Sequence, residues 1–216
     1  MDIGKAFTYM FDDENWLMKI LIGGFIALVP ILNFAIGGYM VETIRNVIQD
    51  YPRPLPEWGD NFGGKFTKGL KLVVIGLVYS LPLILVLCCA FIVLALLGEG
   101  EGEGLADVAS LAMTAVYCVF ILYGLLLGLI FPAILIRFAV TDELMSAFRF
   151  GEVFGLVIGN LGNYIISLLL WLVASWLAGF GVVACFIGVL FTGFWANLVG
   201  ANLFGQVYKQ SIAQPV

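Results

Sequence analysis

Three uncharged side chains that both donate and accept hydrogen bonds, Asn197, Asn202 and Gln206, stand in an otherwise apolar C-terminal run, and the last two are one helical turn apart. Such residues form a polar seam or hold a lipid headgroup; their plainer use is hydrogen bonding between helices. A second set is charged. Lys65, Lys68 and Lys71 recur at three-residue spacing after Trp58, and Arg149 follows later, which suits contact with lipid phosphates or a partner. The acids Glu57, Asp60, Asp142, Glu143 and Glu152 would support metal-assisted or hydrolytic chemistry only by converging, and the sequence gives no clustering. The chain has no histidine, so the commonest general base, metal ligand and haem ligand is missing. It also has no Gly-rich phosphate loop, no Cys or His metal spacing and no serine nucleophile elbow. We expect no catalytic residues, no metal and no cofactor, and a role that is not enzymatic.

The elements that must position these groups are membrane helices. Of 216 residues, 62% are hydrophobic and 12% charged, against about 25% charged in a soluble domain, so something other than water must cover the surface. Residues 20–41, 72–98, 108–136 and 153–208 contain no charge, and each run exceeds the roughly 20 apolar residues that cross a bilayer core. No ionisable residue lies mid-run; Lys19, Glu42 and Arg45 sit near run ends, where long side chains snorkel. That weakens any proton relay or ion-coupled carrier. A net charge of −5 and the lack of a basic stripe argue against nucleic acid. Cys88, Cys89, Cys118 and Cys185 fall inside apolar runs and read as small packing residues.

The chain reads as one integral membrane domain, residues 1–216, of the all-α class: a polytopic transmembrane bundle of about six helical membrane segments plus one interfacial helix. Residues 1–16 form an interfacial start ending near Trp16, and their acids argue that this start is retained, not cleaved. Residues 17–48 form either one kinked span or, preferred, a hairpin turning at Pro30 to Asn33. Residues 49–71 make a stiff elbow with prolines at 52, 54 and 56, and spans follow at 72–97 and 111–136 around a flexible acidic loop at 98–110. Leu144, Phe148, Val153, Phe154, Val157, Ile158 and Leu161 recur at helical spacing opposite Ser146, Arg149, Glu152 and Asn160, which predicts an amphipathic surface helix over 141–160 capped by Thr141. Spans at 164–179 and 182–205 complete the bundle. With the hairpin, all ten Lys and Arg fall on one face, which places that face and both termini in the cytoplasm.

The segments Trp16-Leu-Met-Lys-Ile-Leu-Ile-Gly-Gly, Ile31-Leu-Asn-Phe with Gly38-Tyr39, Pro54-Leu-Pro-Glu-Trp58 and Gly69-Leu-Lys resemble a prokaryotic multi-pass membrane family of unknown function. Phe138-Ala-Val-Thr, Phe150-Gly-Glu-Val and Cys185-Phe-Ile-Gly-Val-Leu fit the same pattern, and the Pro-Leu-Pro-Glu-Trp elbow is its most specific part. The resemblance implies a cytoplasmic-membrane protein of about six helical segments and carries over no activity.

These readings converge on a structural, accessory or lipid-binding membrane subunit whose partners are membrane lipids, with Gly124/Gly128 and Gly151/Gly155/Gly159 available for a homo-oligomer or a larger membrane complex. The rival is a permease or channel for a small neutral or lipid-like solute. Either way, the protein should sediment with membranes and require detergent for monodispersity by size-exclusion chromatography; a monodisperse species in plain buffer would overturn the premise.

Overall fold

The computed structural model describes residues 1–97, 103–183 and 187–213, and every regular element among them is helical. In chain order they are α1 (Ile3–Thr8), a 3-10 turn (Tyr9–Asp12), α2 (Trp16–Leu28), α3 (Phe34–Ile48), α4 (Phe62–Leu97), α5 (Glu103–Thr141), a 3-10 turn (Leu144–Phe148), α6 (Phe150–Gly159), α7 (Leu161–Gly179), a 3-10 turn (Phe180–Val183) and α8 (Gly188–Ala213). Four stretches are long and apolar enough to cross a membrane: Phe62–Val93, Ser110–Thr141, Leu161–Val183 and Gly188–Ala213. The chain is an all-α helical bundle whose apolar helices suit a membrane.

Residues 1–73 and 132–216 form one compact unit, and residues 74–131 form a second. The axis of the first is α8, which packs against α7, α3, α2 and α1 and is buried from Leu198 to Gly205. Small residues set its approach distances. Gly200 faces the Trp171 indole, Gly205 faces Val47 and the Ile44 carbonyl, and Gly23 and Gly24 of α2 receive the Phe194 and Phe191 rings. Closest of all is the crossing of α3 and the first turns of α4, where a side chain on Gly38 would overlap the Lys65 carbonyl and one on Gly69 would overlap that of Phe34. The second unit exposes most of its apolar side chains, among them Leu85, Phe91, Leu111 and Leu122, and joins Tyr123 Oη to the Tyr79 carbonyl at 2.6 Å.

Residues 17–48 are two helices broken at Val29–Asn33, where Pro30 stops α2. Thirteen and fifteen residues rise about 20 and 22 Å at 1.5 Å each, short of the roughly 30 Å hydrocarbon core, so neither arm reaches across alone.

Several expected boundaries shift. The elbow is shorter than 49–71, because Asn61 accepts from the Gly64 N–H at 3.1 Å and starts α4 at Phe62, and no proline stands between Pro56 and Lys71 to stop it. The acidic loop expected over 98–110 is helical from Glu103, where Leu, Ala and Val replace the glycines; Glu99 and Glu101 lie outside the described residues. No single helix covers 141–160. Asp142 takes a left-handed φ of 59° and ends α5, and Thr141 bonds to Ser146 Oγ at 2.6 Å inside the turn instead of capping a continuous helix. The start of the chain is helical over residues 3–12 and buries Tyr9 and Met10 against the bundle. Cys88, Cys89 and Cys118 are exposed thiols, not packing residues within this chain, and Cys185 lies outside the described residues.

Gly38→Ala and Gly69→Ala should each destabilise the protein by about 1–3 kcal/mol in detergent thermal unfolding, because a backbone oxygen cannot rotate away. Gly124→Ala, which meets open space, should leave the midpoint unchanged or raise it.

Candidate functional site

The positioning of polar groups in the first unit begins at Lys19, one turn into α2 and only 3% exposed. A buried ammonium needs three acceptors. It has Asp13 Oδ2 at 2.7 Å, Glu57 Oε1 at 2.6 Å and the Leu55 carbonyl at 3.1 Å. The Lys19 carbonyl in turn accepts from Trp58 Nε1 at 2.9 Å. Trp58 stacks on Tyr39 with ring centroids 4.3 Å apart and lies 5.7 Å from Phe194, so the elbow is welded to α2, α3 and α8. Asn46 Nδ2 donates to the Pro54 carbonyl at 2.9 Å, and Asp50 and Asn61 supply the left-handed turns that bracket the elbow. Arg53 pairs with Glu14 at 2.7 Å.

Most of the basic residues around α3, α4 and the end of α5 also find acceptors within the chain. Lys65, 1% exposed, pairs with Glu42 at 3.1 Å and donates to the Asp60 carbonyl. Lys68 reaches Glu42 at 2.9 Å and Asp142 at 3.9 Å, Lys71 donates to the Asp142 carbonyl at 3.5 Å, and Arg45 reaches Asp142 at 3.3 Å and the Ala139 carbonyl at 2.9 Å. Arg149 pairs with Glu152 at 3.4 Å and Glu143 at 3.9 Å, while Arg137 also pairs with Glu152.

A cleft of about 460 Å³ lies where α1, the end of α3 with the start of the elbow, and the last turns of α8 meet. Gln206 builds its floor. It accepts from the Asp2 N–H at 2.7 Å, donates to the Asp2 carbonyl at 3.0 Å and donates to Asn202 Oδ1 at 2.6 Å, tying the chain's start to α8. Asp2 caps α1 through the Lys5 N–H at 2.9 Å. Tyr9 Oη donates to the Leu198 carbonyl at 2.9 Å, and burial raises its phenol well above the ordinary value, so it stays protonated. Lys209 closes one side by pairing with Asp50. Lys5, Asp12 and Tyr51 are exposed at the mouth, and Val47, Pro52 and Pro54 give it an apolar wall.

The structure thus brings Asn202 and Gln206 together in a cleft but leaves Asn197 half-buried and outside its lining. Trp58, Lys65, Lys68 and Lys71 are internal contacts, and Arg149 alone of that group remains largely exposed. Glu57 faces Lys19, whereas Glu143 and Glu152 share Arg149 and Glu152 also meets Arg137, and among the described residues no three acidic or cysteine side chains could hold a metal.

Residues 22–191 match the family described as a protein of unknown function, DUF4013. The chain belongs to that family. No curated protein and no solved structure matches it.

In this family member Lys19, expected to snorkel at the end of an apolar run, is instead buried and paired inside the bundle, and the sequence assigns no site role to Asp13 or Lys5. A signal for the Lys19 pairing was present: a lysine one turn inside an apolar helix needs a counter-charge, and Asp12, Asp13 and Glu14 stand just before it. Lys19→Met should cost about 3–5 kcal/mol, since it strands a buried carboxylate. For Asp13, burial raises the carboxyl, but the Lys19 hydrogen bond, the Asn15 N–H and the charges of Lys19 and Arg53 outweigh it and hold the value below the ordinary one. Its stabilisation is therefore full above the unfolded value of about 4 and is lost as pH falls below that through the folded value. Unfolding midpoints followed from pH 7 to pH 3 should fall more steeply for the wild type than for Asp13→Asn.

Proposed function

We propose that this protein is a non-enzymatic component of a prokaryotic cytoplasmic membrane that binds lipid and serves as a structural or accessory subunit. One observation carries the reading: the helix that a permease would have to line is solid. Phe194, Ala196 and every residue from Leu198 to Gly205 on α8 are buried, the glycines at 200 and 205 are filled by Trp171 and Val47, and the polar cleft opens only at its C-terminal turns. A solute path needs polar lining through the hydrocarbon depth. The distribution of charge supports the orientation. Every Lys and Arg falls within residues 1–73 or 132–216, and the stretch from 74 to 131 carries acids only, so the basic ends face the cytoplasm in this proposal. The exposed apolar side chains of residues 74–131 supply surface for acyl chains or for a neighbouring subunit.

Purification in a mild detergent followed by native mass spectrometry should show phospholipid retained at defined stoichiometry. Proteoliposomes should take up small neutral solutes, in a light-scattering swelling assay, no faster than empty vesicles. Uptake above that background that Asn202→Leu abolishes would replace this reading with transport.

A further inference from the structure

The cleft between α1, the elbow and α8 carries two opposite charges that are not spent on each other. Lys209 is paired with Asp50, and Asp2 caps α1. Lys5 and Asp12 line the same cleft, yet among the described residues neither forms an ion pair. Gln210 lines the cleft as well, and its Oε1 atom is buried without a hydrogen-bond donor among the described residues, an acceptor with no N–H of this chain to satisfy it. Tyr51 adds an exposed ring at the mouth, a face suited to an ammonium. A purely anionic ligand would meet Asp2, Asp12 and Asp50, and a purely cationic one would meet Lys5 and Lys209, so the lining favours a ligand carrying both signs.

The depth of the cleft indicates where such a ligand comes from. From Gly188 to Gln206 α8 rises about 27 Å, close to the thickness of a hydrocarbon core, so a spanning α8 puts Gln206, Lys209 and Gln210 at headgroup level. The wall of Val47, Pro52 and Pro54 can accept a glycerol backbone. Resting on the lipid-binding reading above, we propose that this cleft selects a phospholipid with a phosphoethanolamine headgroup: Lys5 takes the phosphate, and Asp12 with Gln210 Oε1 takes the ammonium.

The test is to load the purified protein into nanodiscs and titrate it, by native mass spectrometry and fluorescence competition, with phosphatidylethanolamine, phosphatidylglycerol and soluble O-phosphoethanolamine. We expect saturable phosphatidylethanolamine binding, weaker phosphatidylglycerol binding, and little displacement by the soluble headgroup. Lys5→Ala and Asp12→Ala should each weaken phosphatidylethanolamine at least about tenfold, the loss expected for one charge-assisted contact, and Asp12→Ala should move preference toward phosphatidylglycerol. Both side chains are exposed, so an unchanged melting midpoint verifies that the variants remain folded. Equal or tighter phosphatidylglycerol binding, or variants that keep the wild-type preference, would overturn the headgroup assignment while leaving lipid binding intact. Soluble O-phosphoethanolamine binding as tightly as the lipid would overturn the lipid source. Failure to retain lipid of any class would instead bring down the lipid-binding reading itself.

Discussion

The organisation of the first unit depends on one ammonium group. Lys19 is almost fully buried, and an unpaired charge there would carry a desolvation penalty of several kcal/mol. Its three acceptors come from two separate places: Asp13 before α2, and Leu55 and Glu57 some forty residues later in the elbow. Satisfying one lysine therefore forces the chain's start and the Pro-rich elbow onto the same turn of α2. Once the elbow is held, Trp58 lies over Tyr39 and beside Phe194, and the aromatic core that joins α3 to α8 forms from the same placement. The prolines at 52, 54 and 56 cut the conformational freedom lost on docking, so a short segment without regular structure can be this firmly held.

The same logic of neutralising charge inward extends to the basic residues gathered around Glu42 and Asp142. Glu42 is shared by Lys65 and Lys68, and Asp142 by Arg45 and Lys68, with Lys71 on its carbonyl. Pairing Arg45, Lys65 and Lys68 with Glu42 and Asp142 lets helix ends that would repel one another pack closely. Asp142 shows how economical this is. Its backbone takes the left-handed turn that ends α5, its carbonyl accepts from Lys71 and its carboxylate faces Arg45.

What could be seen in the sequence was what depends on composition and short-range spacing. The long apolar runs, the break at Pro30 and the Asn202–Gln206 turn are local features, and each survives as a helix, a helix break or a bonded pair. What could not be seen was set by partners far along the chain. Lys65, Lys68 and Lys71 look like an outward basic rim until Glu42 and Asp142 are brought to them from other helices, and Trp58 looks like an anchor for lipid until Tyr39 arrives beneath it. Gly38 and Gly69 enter the sequence reading only within the family-like segments, whereas in the fold each clears space for the other helix's carbonyl. Helix ends moved for a related reason. Apolar periodicity ran without interruption through 141–160, but Asp142 adopts a backbone conformation open mainly to Gly, Asn and Asp, and periodicity carries no information about that.

The cleft follows from these constraints. Gln206 makes three of its hydrogen bonds to Asp2 and Asn202, and Tyr9 is fixed to the Leu198 carbonyl, so α1 is pinned to α8 at both of its ends. The elbow, held at Lys19 and Asn46, cannot swing in to fill the space beside Val47 and Asp50. Three rigid walls anchored elsewhere leave a gap between them, and the groups at its mouth remain unpaired because the elements bearing them are already committed to other contacts. An open site in an otherwise close-packed bundle is thus a consequence of where the buried lysine and the Gln206 clamp fix the chain, and its charge pattern is set by the residues that happen to lie between those two anchors.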